Sequence, residues 1–318
     1  MRRALFVGIN DYPFGALNGC VADAEALASL LARNEDNSRN FDVRLMTGPP
    51  SQLSRADLRQ AITELFQQPA EVAVFYFSGH GSENDLGGYL VTPDATTYDE
   101  GVPMADVIQL ANKSSVTEAI IIVDCCHSGH LGNLPLGPRE ANPIAQIREG
   151  VSILTASRST EPAIESGGRG VFTTLVCLAL DGGAADVQGR TNVAGLFAYV
   201  EESLGPWQQR PLFKSHVSSL LCLRQVEPAV SLVELQRLTE FFAQADSEFQ
   251  LDPSYEHSHA EATQVHVTDY QVLVAYRNAR LIEVATHDHL YYAAVEGGTV
   301  RLTPLGRHYW SLVHEGRL

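Results

Sequence analysis

Apolar positions along this chain fall into two alternating patterns. Largely apolar runs of five or six residues, too short for helices, occur at Ala4–Ile9, Val72–Phe77, Ala119–Val123 and Val151–Ala156, with another strand-like run at Phe41–Met46. Between them, apolar residues recur at spacings of three and four, as in Val21, Ala24, Leu27, Ala28 and Leu31 within Leu17–Asn34, and again in Leu58, Ile62, Leu65 and Phe66. Ser54 with Asp57 three residues later predicts a capped start for the second helix. Further helices are expected around Met104–Ala111, over Phe172–Leu180 with Gly182 and Gly183 as its stop, and over Val193–Leu204. Val217–Leu223 reads as the sixth strand. Continuous apolar strands alternating with helices predict an α/β fold, a mainly parallel six-stranded sheet covered on both faces.

The pattern changes at Pro228. A helix is expected over Leu232–Ala245, a polar loop over Asp252–Ala262 and a helix over Val267–Ala279. Short strands follow at Leu281–Val284, Leu290–Val295 and Val300–Leu302, with Gly297–Gly298 as a hairpin turn. A closing helix starts at Pro304. The order resembles a winged-helix module in outline. Two domains are therefore expected, 1–228 and 229–318.

Composition narrows the function classes. The 318 residues are 45% hydrophobic and 19% charged, ordinary for a globular protein. The net charge is −16, which argues against nucleic acid or an anionic membrane surface as partner. The tail from 229 onward carries 6 basic and 12 acidic residues, unlike a DNA-reading winged helix. No apolar run spans a bilayer, and the apolar stretch after Arg2 and Arg3 is too short for a signal segment, so a cytoplasmic location is expected. Five cysteines, an odd and sparse count, fit a reducing compartment. Cys177 and Cys222 sit in apolar stretches as core residues. His287-Asp288-His289 reads as a solvated turn, because a zinc site needs more ligands at defined spacing.

The candidate chemistry lies where parallel strands end. One apolar run leads into Ser78-Gly79-His80-Gly81-Ser82, another into Asp124-Cys125-Cys126-His127-Ser128-Gly129. A histidine between glycines and a cysteine just past a buried strand can meet as a nucleophile and its base. The N–H groups of Gly81 and Cys126 are candidates for an oxyanion hole.

The pair FYFSGHGS and IIIVDCCHSG closely resembles the caspase-like cysteine peptidases, in particular the metacaspase and paracaspase branch and its bacterial relatives. The resemblance spans Arg3 to Leu223. Further matching stretches are Leu17–Asp23, Gly88–Asp94, Gly170–Thr173 and Gln209–Pro211. It implies a Cys–His dyad of Cys126 and His80, with Cys125 replacing the serine of the family pattern D-S-C-H-S-G. It also implies an acidic pocket for a basic side chain, here Cys20, Asp23, Ser78 and Asp124. Asp124 replaces the glutamine that true caspases carry in Q-A-C-x-G. Physics agrees with such a pocket, since Cys20 and Asp23 share a helix face and paired carboxylates can grip a guanidinium. The expected activity is endopeptidase cleavage after Arg, less readily Lys, of proteins with exposed basic residues. A regulated role in bacterial signalling or defence follows by analogy. Asp94, Asp99 and Glu100 are weak calcium candidates, and no cofactor is required. Arg139 and Arg148, in the Gly- and Pro-rich stretch after the nucleophile, are candidate self-cleavage points. The tail is expected to bind a protein activator or regulator. Two rivals are a catalytically silent caspase-like scaffold and a transcription regulator working through the tail.

Overall fold

The computed structural model describes residues 1–97, 99–125, 146–156, 165–166, 169–204 and 210–318. They form two compact units, one comprising Met1–Ala185 with Arg190–Val226, the other Asp186–Gly189 with Glu227–Leu318.

The first unit is built on a sheet whose strands, in chain order, are β1 (Arg2–Gly8), β2 (Asp42–Met46), β3 (Val72–Ser78), then β7 (Glu118–Asp124), β8 (Val151–Thr155) and β9 (Leu212–His216). They lie in the order β9–β8–β7–β3–β1–β2. All neighbours are parallel except β9, which runs antiparallel on the edge beside β8. A separate antiparallel sheet, β4 (Gly81–Asn84), β5 (Gly87–Thr96) and β6 (Asp99–Pro103), grows out of the end of β3.

Both faces of the large sheet are buried, which is why β3 and β7 are apolar almost throughout. Alternation sorts their side chains. Phe75, Phe77, Ile121 and Val123 face a core shared with α2 (Arg55–Gln67) and α3 (Met104–Lys113). Val74, Tyr76, Ile120 and Ile122 face the other core, with α1 (Cys20–Ala32), α4 (Val171–Leu178) and α5 (Val193–Ser203). Ser54 and Asp57 do form a reciprocal capping box at the start of α2. At α1 the closeness is extreme. A Cβ on Gly8 would stand 2.2 Å from the Cys20 carbonyl oxygen, so glycine lets the helix start pack directly on the end of β1.

The sixth strand is not Val217–Leu223. That stretch is irregular, and the strand is Leu212–His216, Leu-Phe-Lys-Ser-His. An edge strand is covered less completely, so it tolerates polar residues that hide it from a search for apolar runs.

In the second unit the inner residues Leu235, Leu238, Phe241 and Phe242 are buried as expected. The single helix expected over Leu232–Ala245 is instead two short ones, Leu232–Gln236 and Leu238–Phe241. Leu290–Val295 is not a strand but the helix Leu290–Glu296, capped by the His289 side chain and ended by Gly297 at φ 75°. Gly297 is thus a helix C-cap rather than a hairpin turn. The sheet here is antiparallel with Thr299–Leu302 between Glu248–Gln250 and Ile282–Val284. The Asp252–Ala262 segment contains one 3₁₀ turn, Pro253–Tyr255. Trp310 is half-buried, its Nε1–H donating to the Phe242 carbonyl at 2.7 Å. His287 faces Thr286 and Glu296, while His289 caps its helix, so the two rings serve different partners.

Because each unit has its own core, residues 1–226 produced alone should unfold in a single cooperative thermal transition followed by circular dichroism. An insoluble or non-cooperative product would show that the tail belongs to the folding unit.

Candidate active site

His80 stands two residues beyond Ser78, where β3 ends, and the loop between β1 and α1 builds its cradle. Tyr12, on that loop, is buried, and its hydroxyl accepts the His80 backbone N–H at 3.1 Å while donating to the Val91 carbonyl at 3.2 Å. Its ring meets the imidazole edge-on, 4.6 Å between centroids. The approach is possible only because residue 79 is glycine, since a Cβ there would lie 2.4 Å from the Tyr12 hydroxyl. Burial raises the Tyr12 pKa far above its ordinary value, so the hydroxyl stays protonated and can donate.

The Gly15 carbonyl lies 2.7 Å from His80 Nε2. A carbonyl only accepts, so Nε2 carries the hydrogen and the neutral ring keeps its basic lone pair on Nδ1. The tautomer follows from this partner. Asn10 organises the same loop, with Oδ1 accepting the Val21 N–H at 3.1 Å inside the first turn of α1.

The four pocket candidates gather beside β3 and β7. Ser78 and Asp124 pair directly across the two strands. Cys20 and Asp23 enter from the first turn of α1, and all four are buried. Asp23 Oδ2 accepts the Gly170 N–H at 3.0 Å, and Asp23 Oδ1 accepts from Arg169 Nε at 3.3 Å. Asp124 Oδ2 accepts the Thr173 hydroxyl at 2.6 Å, which is itself 2.7 Å from the Tyr76 hydroxyl. A Cβ on Gly170 would stand 2.5 Å from Asp124 Oδ2 and 3.0 Å from Asp23 Oδ2. Both carboxylates therefore converge on one backbone position. Burial, then the charges of Asp124 and Asp23, drive the Tyr76 pKa well above its ordinary value.

Cys125 is fully buried, on the α2 and α3 side of the sheet. Gly81 opens β4 opposite Leu90. Cys126 and Arg139 lie outside the described residues, as does Gln209 of the Gln209–Pro211 stretch. Arg148 is described, and its guanidinium is engaged by the end of α3 and the loop after it: Nε donates to the Ala111 carbonyl at 3.1 Å, and Nη2 to the Val116 carbonyl at 2.6 Å and the Ser114 hydroxyl at 3.0 Å. The calcium candidates also face protein donors. Asp94 accepts the Arg55 N–H at 3.0 Å at the start of α2, Asp99 pairs with the Arg55 guanidinium, and Glu100 accepts from Asn84 at 3.2 Å. Among the described residues no group of three or more His, Cys, Asp or Glu is placed to hold a metal ion. No helix among them is long and apolar enough to cross a membrane. Tyr12 and Arg169 were not anticipated. Each is remote in sequence from the residue it holds, and neither leaves a local signal.

Comparison with known proteins gives a family match and a likeness of fold. The family model of the caspase domain matches residues 1–222. Metacaspase-3 of Trypanosoma cruzi strain CL Brener is 28% identical over 151 residues, 42% of this chain and 42% of that protein. Metacaspase-2 of Trypanosoma brucei brucei strain 927/4 GUTat10.1 is 27% identical over 188 residues, 48% of this chain and 51% of that protein. The chain thus spans about half the length of the curated relatives it matches. The crystal structure of protein GSU0716 from Geobacter sulfurreducens superimposes with a TM-score of 0.51 at 17% identity, over 71% of this chain and 97% of that one, a likeness of fold.

The convergence at Gly170 can be tested without any substrate. Gly170→Ala forces a methyl group against two buried carboxylates and should cost about 1–3 kcal/mol, a drop in melting temperature of several degrees. Gly195→Ala, where the nearest atom outside its own turn is an ordinary 3.4 Å away, should show no comparable loss. Equal melting curves for the two variants would contradict the geometry.

Proposed function

The chain belongs to the caspase-domain family, and from that premise we propose that it is a cysteine endopeptidase cleaving after arginine, less readily lysine, through a thioester on Cys126. The observation that carries the specificity is the buried pair Asp23 and Asp124, converging at the strand ends next to His80. Buried carboxylates are costly unless a cation or several donors meet them. A substrate guanidinium supplies charge and a planar fork of donors together, which a lysine ammonium does only in part.

The dyad assignment draws on the same frame. His80 presents Nδ1 as base because Gly15 holds Nε2. Cys125 is closed off from substrate within the core, which supports Cys126 as the nucleophile. His80 takes the Cys126 thiol proton as sulfur adds to the scissile carbonyl carbon. The tetrahedral oxyanion is assigned to the N–H groups of Gly81 and Cys126. Collapse breaks the C–N bond, and His80 returns the proton to the departing amine. Water then adds to the thioester with His80 again as base, releasing the carboxylic acid and the thiol.

Self-cleavage is proposed at Arg139, because Arg148 could enter a pocket only by giving up the hydrogen bonds its guanidinium donates to Ala111, Ser114, Val116 and Glu149. The odd and sparse count of five cysteines favours a reducing cytoplasm. Regulation by a protein partner is assigned to the second unit, where Tyr291 and Tyr292 are exposed.

Incubation with a mixed peptide library, cleavage sites read by mass spectrometry, should show Arg before the scissile bond. A preference for Asp or a large apolar residue would overturn the reading. Cys126→Ala should abolish cleavage, and Cys125→Ser should retain much of it. Asp124→Asn or Asp23→Asn should lower kcat/KM on Arg peptides at least about thirtyfold, as expected when one partner of a desolvated charge pair is lost.

Tyr12→Phe removes the hydroxyl that bridges His80 to Val91. Its kcat should fall about tenfold, corresponding to one lost hydrogen bond, with KM little changed. An unchanged kcat would show that the cradle holds without it.

A further inference from the structure

The acid pair contains an internal basic partner whose role the peptidase reading does not assign. Arg169 immediately precedes Gly170, the residue on which Asp23 and Asp124 converge. Its Nε donates to Asp23 Oδ1 at 3.3 Å, and its Nη2 donates to Cys177 Sγ at 3.4 Å, on the inner face of α4. The two oxygens of Asp23 are thus divided. Oδ1 takes the arginine from the α4 side, and Oδ2 takes the Gly170 N–H and lies on the side of Asp124. The arginine side chain is one-third exposed, whereas that of Asp23 is 2% exposed. Burial works against the Arg169 charge, but its bonds to Cys177 and Asp23 outweigh that and hold its pKa above the ordinary value.

We propose that Arg169 is a positioning and specificity-determining residue that clamps Asp23 through Oδ1, fixing Oδ2 to receive the substrate's basic side chain. The inference rests on the arginine-pocket reading. A carboxylate on a helix side chain can rotate about χ2, and bidentate recognition of a guanidinium requires that it not do so. The Arg169 and Gly170 donors, adjacent in sequence, pin both oxygens of Asp23 at once. The arrangement differs from a plug. The Arg169 guanidinium bonds Cys177 as well as Asp23 Oδ1, so on the clamp reading Arg169 holds Oδ1 while the substrate cation is taken at Oδ2. A clamp strengthens substrate binding, whereas a plug would compete with it.

The test compares wild type, Arg169→Gln and Arg169→Lys on matched peptides that differ only in Arg or Lys before the scissile bond, with melting temperatures measured in parallel. The expected result is a KM for the Arg peptide raised at least about tenfold in Arg169→Gln, with kcat changed much less and with a narrowed Arg-over-Lys ratio. Arg169→Lys, which keeps the charge and loses the fork, should fall between the two. An unchanged or lower KM in Arg169→Gln would overturn the clamp, the lower value being the signature of a plug. A fall in kcat and melting temperature at constant KM would also overturn it, since that is a purely structural role. If Arg169→Gln does not fold, Arg169→Lys decides alone, by whether its Arg-over-Lys ratio narrows. The wild-type profile separates the two claims. A wild-type enzyme without basic preference removes the pocket reading, while a basic preference that is indifferent to residue 169 removes only the clamp.

Discussion

Two carboxylates buried together at one end of a parallel sheet constrain the rest of this site. Asp23 is 1% exposed and Asp124 is 6% exposed, and both approach the position that a Cβ on Gly170 would take. Such a pair is tolerable only when donors surround it. The structure answers with a backbone N–H from Gly170, a guanidinium from Arg169 and a hydroxyl from Thr173 backed by Tyr76. These groups come from the start of α4, the segment just before it and β3. The carboxylates themselves come from α1 and β7. The pocket therefore requires the whole first unit to be assembled, and no local segment could build it.

The sheet keeps the surroundings of His80 and the carboxylate pair apart while leaving them adjacent. Side chains alternate across β3 and β7, so Tyr76, Ser78 and Asp124 face α1 and α4, while Phe77 and Cys125 face α2 and α3. The first set surrounds the carboxylate pair. The second belongs to the core that also contains Tyr12, whose hydroxyl and ring hold His80. One loop, between β1 and α1, serves both sides. It provides Tyr12 and Gly15 to the histidine and, through Asn10, helps hold the first turn of the helix that carries Cys20 and Asp23. A change in that loop would be felt by base and pocket together.

Much of this was legible in the sequence because burial on both faces writes itself as unbroken apolar runs. The four central strands and the placement of His80 just beyond its strand follow from that signal, whereas the exposed edge strand Asp42–Met46 and the capping box at Ser54 were read from strand-like residues and from Ser54–Asp57 spacing. What was missed has physical reasons. The edge strand Leu212–His216 is incompletely covered and carries Lys214 and Ser215, so it lacks the run that betrayed the others. Leu290–Glu296 mixes tyrosines and valine in a strand-like way, yet small Ala293 and Ala294 face the core and a side-chain cap plus Gly297 close it as a helix. Tyr12 and Arg169 act across 68 and 146 residues of chain, on His80 and Asp23 respectively, and only the folded backbone brings those partners together.

The central claim is that Cys126 is a nucleophile served by a pocket selective for a guanidinium. The most direct measurement is intact-protein and peptide mass spectrometry after treatment with two thiol-reactive peptide ketones identical except for a terminal Arg or Asp. The account predicts one stoichiometric adduct from the Arg probe, mapped to Cys126, and essentially none from the Asp probe. An adduct on Cys125, equal labelling by both probes, or no adduct from the Arg probe would contradict it.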